Sequence, residues 1–280
     1  MSKKSTMPTE PSPVGTNPAT GSNRTFVAVV GIVLFVALAI PLTVVATLIP
    51  GVWWWIGLIV AGLITAVIIW RRMNNRVTRI LEAFGAEPVD ARDHARFCNL
   101  VQGLCLAAGI PEPQLWVVND DARNMASLHD GPFSSAGSIV VTDGLLAVVE
   151  RVELEGLVSE AISRLRSGDA RTATLAHGLL APAIDGPLQP IGRPLAGFTM
   201  GRLFSEARDL DSDQRAVRMT RYPPGLVAAF ATVQKGAVHP ASSALSDRHL
   251  WLISPTETGG GAEIVSRASL ELRMDALSEL

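Results

Sequence analysis

The sequence predicts an α+β protein: a two-helix transmembrane hairpin followed by a domain of helices with a small sheet. Three observations predict it. From Thr25 to Trp70, 46 residues pass without an Asp, Glu, Lys or Arg. Beyond Arg71 the charge content is ordinary: three of the 24 basic and one of the 26 acidic residues precede the gap, so 21 and 25 fall among the last 210, about 22%. In that part, runs with helical apolar spacing alternate with short β-branched runs. The overall 48% hydrophobic and 18% charged content therefore averages a membrane part with a globular part. It excludes a disordered chain and a small disulfide scaffold.

Residues 1–24 are rich in Pro, Ser and Thr and are expected to form a disordered tail. About 20 residues cross a bilayer core, so the uncharged run makes two spans, 25–48 and 52–70, with Pro50-Gly51 as the turn. Pro41 is tolerable inside a membrane helix. Trp53, Trp54, Trp55 and Trp70 suit the two interfaces. Lys3, Lys4 and Arg24 precede the hairpin, Arg71, Arg72, Arg76 and Arg79 follow it, and the turn carries no charge. The positive-inside rule then puts both termini and the globular domain in the cytoplasm, on the inner face of the cell membrane.

The domain at 71–280 opens with a helix, Arg72 to Phe84, broken at Pro88-Val89-Asp90. Asp90 can cap the next helix, Ala91 to Ala108, which Gly109-Ile110-Pro111 ends. Gln114 to Val118 alternates as a strand, Asp120-Asp121 turns, and Arg123 to Leu128 makes an edge strand. Ser138 to Thr142 is a strand leading into a helix at Asp143-Gly144. Glu153 to Arg166 is a helix with Leu154, Leu157, Val158, Ile162 and Leu165 facing inward. Thr172 to Phe204, with prolines at 182, 187, 190 and 194, reads as irregular. Its uncharged stretch from Thr172 to Ile184 is too short to span and is expected to be a surface loop lying against the membrane. Helices follow at Ser205 to Thr220 and from after Tyr222-Pro223-Pro224 to Lys235. His249 to Ser254 is a strand and Ser269 to Leu280 a closing helix.

The formal charge is +2 before the gap and −4 after it, without the basic stripe that a nucleic-acid partner requires. Cys98 and Cys105 lie two helical turns apart, which is neither metal-ligand nor CxxC spacing. They are expected to be buried thiols in a reducing compartment.

Taken in order, several passages resemble the membrane zinc metallopeptidases of the HtpX and CAAX prenyl endopeptidase type, over roughly residues 25 to 280. GIPEPQLWVVNDDARNMAS (109–127) is similar to that family's strand, turn and edge-strand passage. IVVTDGLL (139–146) is similar to the strand before the active site. VELEGLVSEAISRLRSGD (152–169) falls where the family has its zinc helix, ELxxVLAHELxHIxNxD. RDLDSDQRAVRMTRYPPGL (208–226) is similar to REYxADxxAVxLTRxPxGL, and HLWLISP (249–255) and SRASLELRMDAL (266–277) to two C-terminal stretches. The resemblance implies a zincin-like metallopeptidase domain behind the hairpin.

That chemistry requires HExxH on a helix, with two histidines on one face binding zinc and the glutamate activating a metal-bound water; a glutamate on a later helix completes the ligands. The resemblance lays these positions on Glu160, Ala161 and Arg164, with Asp209 at the third-ligand position and Asp213 four residues on. Arg267 stands where the family has a late histidine. Alanine takes no proton, and a guanidinium has no lone pair for a metal. None of the histidines at 94, 129, 177, 239 and 249 forms an HxxxH pair. No catalytic residue, no metal and no cofactor is therefore expected, although the family carries zinc. The triplet Asp209, Asp211, Asp213 lacks the glycine and spacing of an EF-hand calcium loop.

Two arrangements of the altered site fit the sequence. Glu160 and Arg164 form an exposed i, i+4 pair, or Arg164 turns inward and bridges Glu160 to Asp209 where zinc would sit. The resemblance also makes Asn124, Met125 and Ala126 an edge strand to which a peptide adds by β-pairing; the alternative is that this strand only completes the sheet. His249 is expected to form a structural hydrogen bond.

The function expected is that of a membrane-anchored pseudopeptidase that binds or regulates. Its expected partners are the bilayer and a peptide, a membrane-protein segment or an active relative. A metalloendopeptidase with a site other than HExxH and a purely structural membrane protein are the alternatives.

Overall fold

The computed structural model describes residues 54–129, 137–185, 189–237, 244–253 and 268–280, with isolated helical positions between Ala28 and Val44. The expected tail, most of the first span, the Pro50-Gly51 turn, His239 and Arg267 lie outside the described residues. The described chain is mostly helical with a small mixed sheet.

In chain order the elements are α1 Trp54–Asn74, α2 Arg76–Phe84, β1 Ala86–Pro88, α3 Ala95–Ala108, β2 Gln114–Val118, β3 Met125–His129 and β4 Gly137–Thr142. Then come α4 Asp143–Val148, α5 Arg151–Ser167, α6 Asp169–Asp185, α7 Gln189–Leu203, α8 Glu206–Thr220 and α9 Pro223–Gln234. A single 3-10 turn, Leu245–Asp247, precedes α10 Leu270–Ser278. Among the described residues no single helix is long and apolar enough to cross a membrane. Residues 55–71 and 76–84 reach that length and composition only as a pair bent by 53°.

The four strands run in the order β1-β2-β4-β3. β4 lies parallel to β2 and antiparallel to β3, pairing Met125 with Val141 and Ala126 with Val140. Alternation along β4 sends Ile139 and Val141 to one core and Val140 to the other. The first core joins the sheet to α5 through Leu154, Leu157, Ala161 and Ile162, with α3, α8 and α9 around it. The second packs α2, α6 and α7 on the opposite face, where the Phe84 and Trp251 rings stack with centroids 4.7 Å apart.

α5 is the axis of the domain. Glu153 Oε2 accepts a hydrogen bond from the Glu150 backbone N–H at 2.9 Å, fixing its first turn. Gly168, with φ of +85°, ends it. A Cβ on Gly156 would stand 3.0 Å from the Leu226 Cα and N, so the glycine lets α5 and α9 approach backbone to backbone.

Four segments differ from the sequence-based expectation. The described residues of 172–204 are not an irregular loop: 172–185 complete α6 and 189–203 form α7. Pro190 sits in the first turn of α7, where no intrahelical N–H is needed, and Pro182 comes late in α6. Ala- and Leu-rich flanks and burial of Ala173, Ala176, Leu180 and Met200 then outweigh the proline signal. The break at Pro88 is the end of edge strand β1, which proline tolerates. Residues 91–94 form a turn instead of the first turn of α3, because the Asp90 carboxylate accepts from Arg92 N at 2.8 Å and its carbonyl from His94 N at 3.0 Å. His249 to Ser254 is no regular strand: its described part makes a single bridge, Trp251 to Ala126.

Candidate functional site

α5 and α8 pack side by side, and the charged residues that the resemblance lays on the zinc-site positions meet in that interface. Arg164 turns inward. Its Nε donates to Glu160 Oε1 at 2.7 Å, one turn earlier on α5, and its Nη2 to Asp209 Oδ1 on α8 at 3.1 Å. Glu160 is fully buried, and Arg164 and Asp209 are 7% and 6% exposed, so this is no solvated surface pair. The other Asp209 oxygen accepts from the Ala268 backbone N–H at 3.2 Å.

Asp213, one turn further along α8, is held by a second guanidinium that sequence reasoning missed. Arg273 of α10 is 1% exposed. Its Nε and Nη2 reach the two Asp213 oxygens at 2.7 and 2.6 Å in a bidentate fork. Nη1 donates to the Leu252 carbonyl at 3.1 Å, and the guanidinium carbon lies 4.3 Å from the centre of the Phe230 ring. Nη2 also comes to 3.5 Å from Glu160 Oε1, which links the two ion pairs. The available signal was position: Arg273 lies between Leu270 and Leu277 on the side of α10 that turns inward.

Glu160 Oε1 thus serves Arg164, Arg273 and, at 3.4 Å, the Ser212 hydroxyl. Oε2 is buried without a hydrogen-bond partner among the described residues. Burial pushes the Glu160 carboxyl above its ordinary range against the pull of Arg164 and then Arg273. Burial alone would ease a proton off Arg164, but Glu160 and then Asp209 outweigh it and hold the guanidinium above its ordinary value. Arg273 is raised in the same way by Asp213. Two guanidinium groups facing Asp209 and Asp213 balance without Glu160. A proton on Oε2 therefore leaves the cluster neutral, in accord with the direction of the Glu160 shift.

Ala161 is fully buried, with its side chain in the core; its carbonyl accepts from the Ser127 hydroxyl at 3.3 Å. Among the described residues no group of three His, Cys, Asp or Glu is placed to hold a metal ion. The donor set of the cluster does not fit zinc: its three carboxylates already face two guanidinium groups that have no lone pair to offer a metal. The cavity beside Arg164, Asp209, Ser212, Phe204 and His249 is about 20 Å³, room for about one water.

The edge expected to receive a peptide is taken by the chain itself. Asn124, Met125 and Ala126 are all buried. Met125 O accepts from Leu252 N at 2.7 Å, and Asn124 Nδ2 donates to Ile253 O at 2.8 Å. Covering an edge in this way removes the exposed ladder groups that invite pairing. His249 Nε2 lies 3.0 Å from the Ala173 carbonyl. His177, which had no assigned role, pairs with Asp247 at 2.7 Å. Asp211 pairs outward with Arg215, away from Asp209 and Asp213. The two cysteines are free thiols, and burial pushes Cys105 up to about 11.

No family model matches the chain, and no solved structure matches it. Curated relatives do. The chain is 28% identical over 229 residues to the Protease HtpX homolog of Dictyoglomus thermophilum, spanning 72% of this chain and 75% of that one. It is 25% identical over 273 residues to the Protease HtpX homolog of Streptococcus agalactiae, spanning 85% and 90%. It is also 25% identical over 201 residues to the homolog of Tropheryma whipplei, spanning 62% and 68%. By sequence, over most of its length, the chain is HtpX-like.

Proposed function

We propose that this chain is a non-catalytic relative of the HtpX-type zinc metallopeptidases, in which a cluster of guanidinium and carboxylate groups replaces the metal centre. One observation carries the reading: the Arg164 guanidinium bridges Glu160 and Asp209 across the α5–α8 interface. One cation replaces another and still joins the two helices. Three further observations support it. The position of the general base is the buried methyl of Ala161, the adjoining cavity is about 20 Å³, and a second arginine, Arg273, adds charge that a zinc ion would have to overcome.

The domain at 71–280 is in this reading a zincin-like domain without zinc, and 25–70 is its membrane hairpin. Support for the hairpin is the 46-residue uncharged run together with the exposed apolar residues of α1, among them Ile59, Leu63, Val67 and Trp70. Both termini face the cytoplasm, and the bilayer is a partner. The role is binding or regulation of a peptide, a membrane-protein segment or an active relative. Because residues 250–253 cover the edge of β3, such a partner engages another surface or displaces them.

Hydrolysis of a denatured protein by the purified full chain, with zinc added, tests the catalytic half of the reading. Cleavage is expected to stay at background with or without a chelator. Chelator-sensitive cleavage that disappears in Glu160→Ala would overturn it.

A further inference from the structure

The C-terminal ends of α3, α5 and α8 converge on a groove of about 760 Å³, within the range of small-ligand sites. Four arginines line it, Arg166, Arg215, Arg218 and Arg221, together with the hydroxyls of Ser163 and Ser167, and among the described residues no acidic side chain does. Arg215 is already committed: it pairs with Asp169 at 3.1 Å and with Asp211, and its Nε donates to Ser163 Oγ at 3.1 Å. Arg166, Arg218 and Arg221 are exposed and have no ion pair among the described residues.

A basic residue near a helix C-terminus complements the helix dipole, and that accounts for one arginine at the end of α5 and one at the end of α8. It does not account for an arginine at the cap position itself, Arg221. This residue caps α8 with φ of +56° and is the single non-glycine residue at positive φ among those described. Glycine is the relaxed choice at such a cap. An arginine there keeps a third uncompensated guanidinium at the groove against the backbone preference.

We propose that this groove binds a phosphate-bearing anion through Arg166, Arg218 and Arg221. The planar fork of arginine matches phosphate oxygens two at a time. Several guanidinium groups around one groove suit a ligand that concentrates charge. Walls made of helix ends provide no strand edge to hold a peptide backbone. The phosphate belongs either to a soluble compound or to the headgroup of an anionic lipid, which presents the same oxygens.

The full chain in neutral detergent, titrated with inorganic pyrophosphate, tests the soluble source. Its incorporation into nanodiscs of phosphatidylglycerol or of phosphatidylcholine alone tests the lipid source. The double variant Arg218→Gln/Arg221→Gln is compared with the wild type and with Arg151→Gln, an exposed arginine at the other end of α5. The proposal predicts that pyrophosphate, or phosphatidylglycerol but not phosphatidylcholine, raises the Tm of the wild type and of Arg151→Gln. In the double variant, which is expected to melt cooperatively without ligand, the apparent affinity falls about tenfold for each guanidinium lost, and rising salt weakens what remains. Stabilisation by pyrophosphate identifies a soluble ligand, and stabilisation by phosphatidylglycerol alone identifies the lipid. The proposal is overturned if neither probe stabilises the wild type, if the double variant responds as the wild type does, or if a pentaglutamate peptide binds as tightly as pyrophosphate.

Discussion

Arg164 Nε lies 2.7 Å from Glu160 Oε1, and both side chains are buried between α5 and α8. The spacing is the favoured i, i+4 order for a helical ion pair, but a pair of this kind on a surface contributes only a few tenths of a kcal/mol. Buried, with Asp209 closing the other side of the guanidinium at 3.1 Å, it acts as a cross-link between helices. Removing the cation leaves the Asp209 carboxylate without its guanidinium and Glu160 with Arg273 alone, both away from water. Arg164→Ala is therefore expected to lower stability by about 3–5 kcal/mol. The apolar replacement Glu160→Met/Arg164→Leu/Asp209→Leu, which removes all three polar side chains, is expected to cost less than the single change. Denaturant midpoints of the two variants in detergent check this ordering.

The second guanidinium is as firmly placed as the first. Arg273 makes a bidentate bond to Asp213, donates to the Leu252 carbonyl and lies over Phe230. Lysine keeps the charge but loses the fork and the planar stack. Arg273→Lys is expected to cost about 2 kcal/mol, which shows as a lower Tm with no change in secondary structure by circular dichroism.

The pH dependence follows from Glu160. Burial raises its carboxyl above the ordinary value of 4.5, so the folded state holds this proton more tightly than the unfolded state. The stabilisation is then fully present below about pH 4.5 and is lost as pH rises through the folded-state value. Glu160→Gln, which resembles the protonated form, removes this contribution. The difference in Tm between wild type and Glu160→Gln is predicted to shift in favour of the variant as pH rises from 4 toward neutrality. A difference that moves the other way contradicts the assignment.

Gly156 marks the closest approach of α5 and α9. A Cβ there meets the Leu226 backbone at 3.0 Å, and backbone cannot give way as a flexible side chain does. Gly156→Ala is expected to destabilise by about 1–3 kcal/mol, despite the better helix propensity of alanine. Thermal melting of the variant measures it.

Much of this arrangement was legible in the sequence. The strand at Gln114–Val118 has the expected bounds, and α5, expected at 153–166, runs from 151 to 167, because alternation and helical spacing are local signals. The inward turn of Arg164 was one of two arrangements the spacing allowed, and only packing against α8 chose between them. Arg273 escaped notice because its partners lie 60 and 113 residues away. Its role depends on where α10 docks, which no local pattern states. The helices at 169–185 and 189–203 were obscured by their prolines, 182, 190 and 194, whose cost is small at a first turn and is offset elsewhere by burial of neighbouring residues. The covered edge of β3 was hidden for a related reason. Residues 250–253 reach it from more than 120 positions away and make one bridge instead of a strand.

The proposed function places a guanidinium–carboxylate cluster, Arg164 with Glu160 and Asp209, at the zinc position that the resemblance implies. Elemental analysis of the full-length protein, purified from membranes without chelators, tests it most directly. No zinc above background is expected in the wild type or in Glu160→Ala. One zinc per chain, lost on Glu160→Ala, would contradict it.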